Sequence, residues 1–117
     1  IYKRRPRSLS LDAFRALRVG NCDDLVRRLV SLRTADPPLH LTSHPVTAKL
    51  ADEASPVDDR HYKHREDLID AVLCAWTGLL WLAHGPKRCQ VLGIGDQRTP
   101  VATIIAPARS EQRRTTS

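Results

Sequence analysis

The sequence of 117 residues contains no methionine, and its first residue is Ile1. An initiator methionine is normally removed only ahead of a small residue. We therefore expect a trimmed chain, a fragment of a longer protein or the product of a misassigned gene start. The length allows one domain with a modest core. The expectation bears on function, because a fragment can carry only part of a site.

Cysteine is scarce and irregularly spaced. The chain has three cysteines, Cys22, Cys74 and Cys89, and no Cys-x-x-Cys pair. An odd number without regular spacing excludes a disulfide framework, and the spacing does not support a zinc site that combines them with His40 and His44. Free cysteines indicate a reducing compartment, so the predicted location is the cytoplasm.

Targeting and membrane signals are also missing. The basic N-terminal region is not followed by the apolar run of a signal peptide. The most apolar stretch, residues 68–83, is short for a membrane span and contains Asp70, so we predict a core helix and no membrane association. Gly93 and Gly95 precede a predicted strand instead of following one, which argues against a dinucleotide-binding loop.

Positive charge is in excess and unevenly distributed. The net charge is +6, and residues 1–20 hold six basic residues against one acidic residue. A basic segment of this kind is typical of contact with a phosphate backbone, and it is equally typical of the arginine-rich proteins of GC-rich bacterial genomes. The predicted nucleic-acid-binding residues are Lys3, Arg4, Arg5 and Arg7.

Two amphipathic helices are predicted near the N-terminus. The first, residues 11–19, ends at Gly20 and Asn21, which tolerate the left-handed conformation of a helix stop. Asp23 favours the start of a second helix, residues 23–33, through the helix dipole. This outline matches a helix-turn-helix, although simple packing of two helices produces it more often. In that arrangement the residues facing DNA are Arg27, Arg28 and Arg33.

The remainder of the chain predicts a long loop, a long helix and a strand. Residues 35–59 contain four prolines and no sustained period, which indicates a long connection with a short helical turn within it. A helix that begins near Arg65 and stops at Gly85 is apolar on every side from Ala71 onward, so we expect it to be buried. The β-branched run at residues 101–106 predicts a strand.

Three carboxylates lie in the first turns of the long helix. Glu66 and Asp70 are four residues apart and Asp67 and Asp70 are three apart, so the three are neighbours on the helix surface. A cation relieves their repulsion, and carboxylate oxygens are the ligands that Mg²⁺ or Mn²⁺ takes. The alternative is that Glu66 and Asp67 interact with the helix dipole, which explains Asp70 less well. His64 is a candidate auxiliary residue for a phosphate or a water, or a solvated cap.

Residues 62–76 resemble the acidic helix of the domain-of-unknown-function family 429, which reads E/D-D-x-x-D-A-x-x-C-A-aromatic. This family is regarded as predicted nucleases with a ribonuclease H-like fold. Residues 84–88, His-Gly-Pro-Lys-Arg, are similar to the segment that follows that helix, and residues 104–107, Ile-Ile-Ala-Pro, to the closing strand. The similarity covers residues 60–107, whereas residues 1–33 match only loosely.

The resemblance implies two-metal phosphodiester cleavage in which Asp70 supplies the last carboxylate. Asp67 or Glu66 is then a second ligand or a structural cap. Enzymes of this fold take their other carboxylates from the first strand and a central strand, which would lie upstream of Ile1. We therefore expect the chain by itself to hydrolyse nothing, and a missing N-terminal half or a partner chain to be required.

Taken together, the observations predict an α/β fold, the C-terminal part of a ribonuclease H-like domain that is mostly helical with one or two short strands. Residues 1–107 form the incomplete domain and residues 108–117 a disordered basic tail. The predicted function is that of a nuclease dependent on Mg²⁺ or Mn²⁺. The alternatives are a non-enzymatic nucleic-acid-binding or interaction module built on the helix pair 11–33, and a degenerate gene product without a function of its own.

Overall fold

A computed structural model of the chain describes residues 4–93 and 104–113. It is mostly helical with a two-stranded antiparallel sheet, which confirms the mixed, mostly helical class with one or two short strands. The helices are α1 (Leu11–Ser31), α2 (Pro45–Asp52) and α3 (Asp59–His84), and the strands are β1 (Cys89–Leu92) and β2 (Ile104–Pro107).

The chain divides into two compact units, and the boundary between Val72 and Leu73 falls within α3. The first unit contains α1, α2 and the N-terminal half of α3. The second unit contains the remainder of α3 and both strands. The grouping of residues 1–107 into one domain stays a prediction.

The helix α1 is continuous, and the predicted break at Gly20 and Asn21 is wrong. Ser10 caps it, because its hydroxyl oxygen accepts a hydrogen bond from the backbone N–H of Ala13 at 3.1 Å. The buried residues of α1 stay on one face across Gly20, and their burial outweighs the ~1 kcal/mol that a glycine costs in a helix interior. These buried residues are Phe14, Cys22, Val26 and Leu29.

The predicted long connection contains α2, which confirms a short helical turn within residues 35–59. His44 caps this helix, since its Nδ1 accepts a hydrogen bond from the N–H of Val46 at 3.2 Å. Pro45 occupies the first position, where its missing N–H leaves no hydrogen bond unmade. Leu50 is almost fully buried, so α2 contributes to the core of the first unit.

The helix α3 begins at Asp59, earlier than the predicted start near Arg65. The carboxylate of Asp58 accepts hydrogen bonds from the backbone N–H of His61 at 2.9 Å and from its ring Nδ1 at 2.6 Å. An aspartate in this position is a helix cap, a signal that the sequence analysis passed over. In the first unit one face of α3 is buried, and its buried residues are Tyr62, Arg65, Ile69 and Val72.

The second half of α3 is more exposed than predicted. We expected burial on every side, but within residues 73–84 only Leu80 is buried, while Leu82 is 83 % exposed. By length and composition alone, the stretch Asp59–Lys87 is able to cross a membrane, and 17 % of its most apolar window is buried. Core helices of soluble proteins meet the same criterion, so it does not by itself indicate a membrane protein.

The strands β1 and β2 pair antiparallel, with Cys89 opposite Pro107 and Leu92 opposite Ile104. The described part of the predicted strand, residues 104–106, is confirmed by β2, whereas residues 101–103 lie outside the described residues and β1 was not predicted. Cys89 is buried, and burial raises the pKa of its thiol. A two-stranded sheet of this size buries little apolar surface by itself.

The described part of the predicted disordered tail has regular contacts. The backbone N–H of Ala108 donates to the carbonyl of Arg88 at 2.8 Å, and Ala108 is buried. A 3₁₀ turn follows at Ser110–Gln112. Residues 108–113 of the predicted tail make these contacts, residues 114–117 lie outside the described residues, and the disorder of the tail stays a prediction.

Candidate functional site

The three carboxylates of the predicted metal site have different surroundings. Asp67 lies 2.8 Å from the ammonium of Lys63, and Glu66 lies 3.6 Å from the same ammonium. The hydrogen bond to Asp67 raises the pKa of Lys63 above its usual value, so the lysine stays charged. Asp70 is exposed, and its carboxylate has no hydrogen bond or ion pair with any described residue. Of the three carboxylates, Asp70 is thus the one that is free to bind a ligand.

These residues do not complete a metal site within the described chain. Among residues 4–93 and 104–113, no three His, Cys, Asp or Glu side chains are grouped so as to hold a metal ion. Carboxylate oxygens suit Mg²⁺ or Mn²⁺, but Lys63 already neutralises Asp67 and lies close to Glu66. A two-metal reaction needs several free carboxylates. The donor set therefore does not fit it, and no catalytic step follows from these residues alone.

Among the described residues, the other predicted site residues are accessible, and no hydrogen bond or ion pair joins their side chains to one another. Arg4, Arg5 and Arg7 are exposed ahead of α1, and Lys3 lies outside the described residues. His64 is exposed on α3. The structure thus leaves a basic N-terminal segment open to solvent, as expected of a solvated charge run and of a phosphate contact alike.

The predicted helix-turn-helix is wrong, because α1 runs through its turn without interruption. Arg27 and Arg28 both bind the carboxylate of Asp24, at 3.2 and 3.3 Å, and their side chains are 71 % and 78 % exposed. We call Arg27 and Arg28 the exposed pair. Arg33 is also exposed, in the 3₁₀ turn after α1. This surface is an ordinary charge-paired helix face.

A second group of charged residues connects α1 with the beginning of α3. Arg15 Nη2 lies 3.2 Å from Oδ2 of Asp59, and Arg18 Nη2 lies 2.8 Å from Oδ1 of the same carboxylate. We call Arg15 and Arg18 the anchored pair. The hydrogen bonds from Arg18 and then Arg15 lower the pKa of Asp59 below its usual value. One carboxylate thus receives a guanidinium at each of its oxygens.

Arg18 is fixed from several sides. Its guanidinium carbon lies 4.1 Å from the centroid of the Tyr62 ring and 5.5 Å from that of Phe14, both within cation–π range. Its Nη2 also donates to the carbonyl of Val57 at 3.2 Å. The side chain of Arg18 is 11 % exposed, whereas that of Asp59 is 65 % exposed. The arginine is therefore held in place, and the carboxylate lies on its solvent side.

Buried polar atoms without partners are concentrated in the same region. The Nε atoms of Arg15 and Arg18 and the hydroxyl of Tyr62 have no hydrogen-bond partner among the described residues. Burial, together with the neighbouring Cys22 and Glu66, raises the pKa of Tyr62 to about 12, so the phenol stays neutral. An unmade hydrogen bond of this kind costs about 1–3 kcal/mol. Each arginine of the anchored pair therefore has an Nε–H donor that is not bonded to Asp59.

Arg65 is the centre of a buried hydrogen-bond network. Its Nε donates to the hydroxyl of Ser55 at 2.9 Å, and its Nη2 donates to the carbonyls of Leu50 at 2.9 Å and Glu53 at 2.8 Å. The backbone N–H of Ser55 donates to Asp23 at 2.9 Å. Burial by itself would raise the pKa of Asp23, but the hydrogen bonds from Ser55 outweigh it and lower the pKa. This network joins α1, α2 and α3 within the first unit.

Two concave surfaces accompany these residues, one in each unit. The first unit has an open cavity of about 210 Å³ bordered by Asp23, Glu53 and Arg65. The Nε and Nη2 atoms of Arg65 already have acceptors in the protein, so these donors are not available to a ligand in this cavity. The second unit has an apolar groove of about 350 Å³, and the residues lining it are Leu73, Cys74, Thr77, Gly78, Trp81 and Ile105.

The sequence analysis missed the two fixed arginines as individual features, although the sequence contains a signal for both. Arg18 lies four residues from Phe14 and from Cys22, so it occupies a position in the buried stripe of α1. Arg65 lies between Tyr62 and Ile69 in the same way on α3. An arginine inside an apolar stripe indicates a satisfied buried cation, and this pattern could have been read without a structure.

Comparison of the chain with protein-family models, with curated proteins and with solved structures found no match. The assignment of a function therefore depends on the residues and contacts described above.

Proposed function

We propose that this chain contributes one part of a metal-dependent nuclease with a ribonuclease H-like fold, and that Asp70 is its ligand for Mg²⁺ or Mn²⁺. The observation that supports this most directly is the environment of Asp70. It is an exposed carboxylate, without a partner among the described residues, on a helix whose neighbouring acids Asp67 and Glu66 are close to Lys63. A carboxylate of this kind is available to a hard cation.

The apolar surface of the second unit supports the requirement for further polypeptide. Leu79 and Leu82 on α3 and Ile104 on β2 are at least half exposed, and an apolar groove lies in the same unit. Exposed apolar patches of this kind mark contact surfaces. In the proposed arrangement an N-terminal half or a partner chain covers them and supplies the remaining carboxylates. The free cysteines favour the cytoplasm as the location.

The chemistry that follows for this chain is limited. The cations, when bound in the completed site, would activate a water and stabilise the leaving oxygen of a phosphodiester. Asp70 would hold one of them through its carboxylate oxygens. Because this chain offers one free carboxylate at the helix, we expect no hydrolysis of RNA or DNA by the isolated chain, and cleavage only when the missing acids are added.

Metal titration is the first test. Mn²⁺ and Mg²⁺ are titrated into the purified chain by calorimetry, and the same titrations are run on Asp70→Asn. We expect weak binding, in the millimolar range typical of incomplete oxygen sites, that disappears in Asp70→Asn. The matched control is Asp12→Asn, which removes an exposed acid from the first turn of α1 and should leave binding unchanged.

The same experiment separates a free metal ligand from a carboxylate that is already paired with a lysine. Asp67→Asn should weaken metal binding less than Asp70→Asn, because Asp67 is already paired with Lys63 at 2.8 Å. Metal binding that persists in Asp70→Asn would contradict the proposed role of this residue. If the wild type also gives no heat of metal binding, the result would contradict a metal site formed by this helix alone.

A non-enzymatic nucleic-acid-binding role is the second candidate. Its helix-turn-helix form is excluded by the continuous α1, but the anchored pair offers a different basis for it. The two roles differ in their dependence on metal. If Asp70→Asn leaves nucleic-acid affinity unchanged with and without Mg²⁺ while a change in the basic residues abolishes it, the binding role is correct.

A further inference from the structure

The first unit contains two carboxylates that each bind two arginines, and the two groups differ in how the arginines are held. The arginines of the exposed pair are mostly solvated, and both form ion pairs with Asp24. In the anchored pair the side chains are 29 % and 11 % exposed, and Arg18 also stacks on Tyr62 and donates to the carbonyl of Val57. Arg18 therefore keeps its contacts with Tyr62 and Val57 without its carboxylate, whereas the ion pairs of Arg15 and of the exposed pair depend on theirs.

We propose that the anchored pair is a binding site for a phosphate group, and that the carboxylate of Asp59 occupies this site in the structure described here. Two guanidiniums that converge on one anion match the geometry of phosphate recognition, because each offers several donors in a fixed plane. Arg18 is held in place before the ligand arrives, so little of its side-chain entropy is lost on binding.

Displacement of Asp59 is the step that opens the site. This carboxylate is 65 % exposed and is the first residue of α3, where it can turn toward solvent without moving the helix. The adjacent Asp58 does not compete for the arginines, because its carboxylate is bonded to His61. The negative charge of Asp58 still opposes an incoming anion, so the affinity of the site for a single phosphate is modest.

The ligand is a phosphodiester of a nucleic acid. The net charge of +6 and the exposed Arg4, Arg5 and Arg7 ahead of α1 favour a polyanion over an isolated phosphate. The choice of nucleic acid as the source of the phosphate rests on the proposed function. The anion site itself rests only on the contacts of Arg15, Arg18 and Asp59.

The test compares Asp59→Asn with Asp24→Asn. Each substitution raises the net charge by one and releases two arginines, so general electrostatics is the same in both. Inorganic phosphate is titrated by calorimetry and a short labelled single-stranded oligonucleotide by fluorescence anisotropy, both in EDTA. We expect Asp59→Asn to tighten the binding of both probes roughly tenfold and Asp24→Asn to tighten it less than about threefold.

Arg15→Gln provides the second variant. Combined with Asp59→Asn, it should return both affinities to the wild-type values, and alone it should weaken phosphate binding, which keeps the test valid if Asp59→Asn does not fold. Equal effects of Asp59→Asn and Asp24→Asn, or tight binding that survives Arg15→Gln, would overturn the site. Tighter phosphate binding without tighter oligonucleotide binding would support the anion site and overturn nucleic acid as its ligand. Because EDTA is present, failure of the Asp70 metal site does not affect the result.

Discussion

Each unit of this protein contains side chains that depart from the usual pattern of burial, and the departures differ in kind. The first unit buries an arginine, Arg65, to 9 % exposure and holds a second one, Arg18, against Tyr62. The second unit exposes large apolar side chains, with Leu82 at 83 % and Ile104 at 64 %. Hydrophobic burial alone would predict that these arginines are exposed and that Leu82 and Ile104 are buried.

The comparison shows two conditions for burial. A polar side chain can be buried when its polar atoms have hydrogen-bond partners, and an apolar side chain is buried only where another surface covers it. Arg65 is buried because its Nε and Nη2 donate to acceptors in the protein, and because the aliphatic stem of an arginine packs like an apolar side chain. Leu82 is exposed because the described residues offer nothing to cover it. The first unit accordingly has the properties of a self-contained core, and the second those of a contact surface.

Removal of Arg65 is expected to have the largest effect. Arg65→Ala leaves the carbonyls of Leu50 and Glu53 and the hydroxyl of Ser55 without a donor. The free energy of unfolding should fall by about 3 kcal/mol or more, as measured by urea denaturation. The loss of unfolding free energy for Arg65→Lys should be smaller than that for Arg65→Ala but not zero, because one ammonium cannot reach all of these acceptors. A loss below about 1 kcal/mol would show that water replaces the guanidinium and that the core of the first unit does not depend on it.

Removal of Arg18 is expected to be the next largest change. Arg18→Ala loses the stacking on Tyr62, the hydrogen bond to Val57 and the bond to Asp59. The expected loss of unfolding free energy is about 1–2 kcal/mol. The matched control is Arg28→Ala, a mostly exposed arginine on the same helix, which should change it by less than about 0.5 kcal/mol. Equal losses would remove the distinction between the anchored and the exposed pair.

The pH dependence of Asp23 tests the buried network from its acidic end. The pKa of Asp23 is lowered from 3.8, so its stabilising contribution is complete above that pH and is lost as the pH falls through the lowered value. Asp23→Asn should be about 1 kcal/mol less stable at pH 7. The difference in stability between the wild type and Asp23→Asn should narrow as the pH drops below 3.8. Thermal unfolding followed by circular dichroism measures this difference. A gap that stays constant with pH would mean that Asp23 does not act through its charge.

The smallest effect on stability is expected in the second unit. Leu82→Gln replaces a side chain that is 83 % exposed, so the free energy of unfolding should change by less than about 0.5 kcal/mol. Self-association at high concentration, followed by analytical ultracentrifugation, should decrease. A large loss of stability would show that Leu82 is covered in solution and would contradict the contrast between the units.

Much of the fold was predictable, because helices and strands leave local periodic signals. The stop of α3 at Gly85 and the described part of the strand at residues 104–106 follow from helix-ending residues and β-branched residues. The break at Gly20 was wrong, since a single glycine is weaker than an apolar stripe that continues in phase on both sides of it. The strand β1 was missed because four residues give too short a pattern.

The candidate sites were predictable only in part. The proximity of Lys63 to Asp67 and Glu66 follows from spacings of four and three residues on one helix. The exposure of Asp70 also agrees with its position at the polar end of α3. The contact between Arg18 and Asp59 joins residues that are 41 positions apart, and no local pattern specifies such a pair.

The sequence by itself determined where α3 ends and which acids lie together on it, because these properties depend on neighbours within one or two turns. Only the tertiary structure decided which arginines are fixed and which are solvated. Arg18 and Arg28 are the same residue type on the same helix. They differ because α3 brings Tyr62 and Asp59 to one face of α1, while the other face meets water.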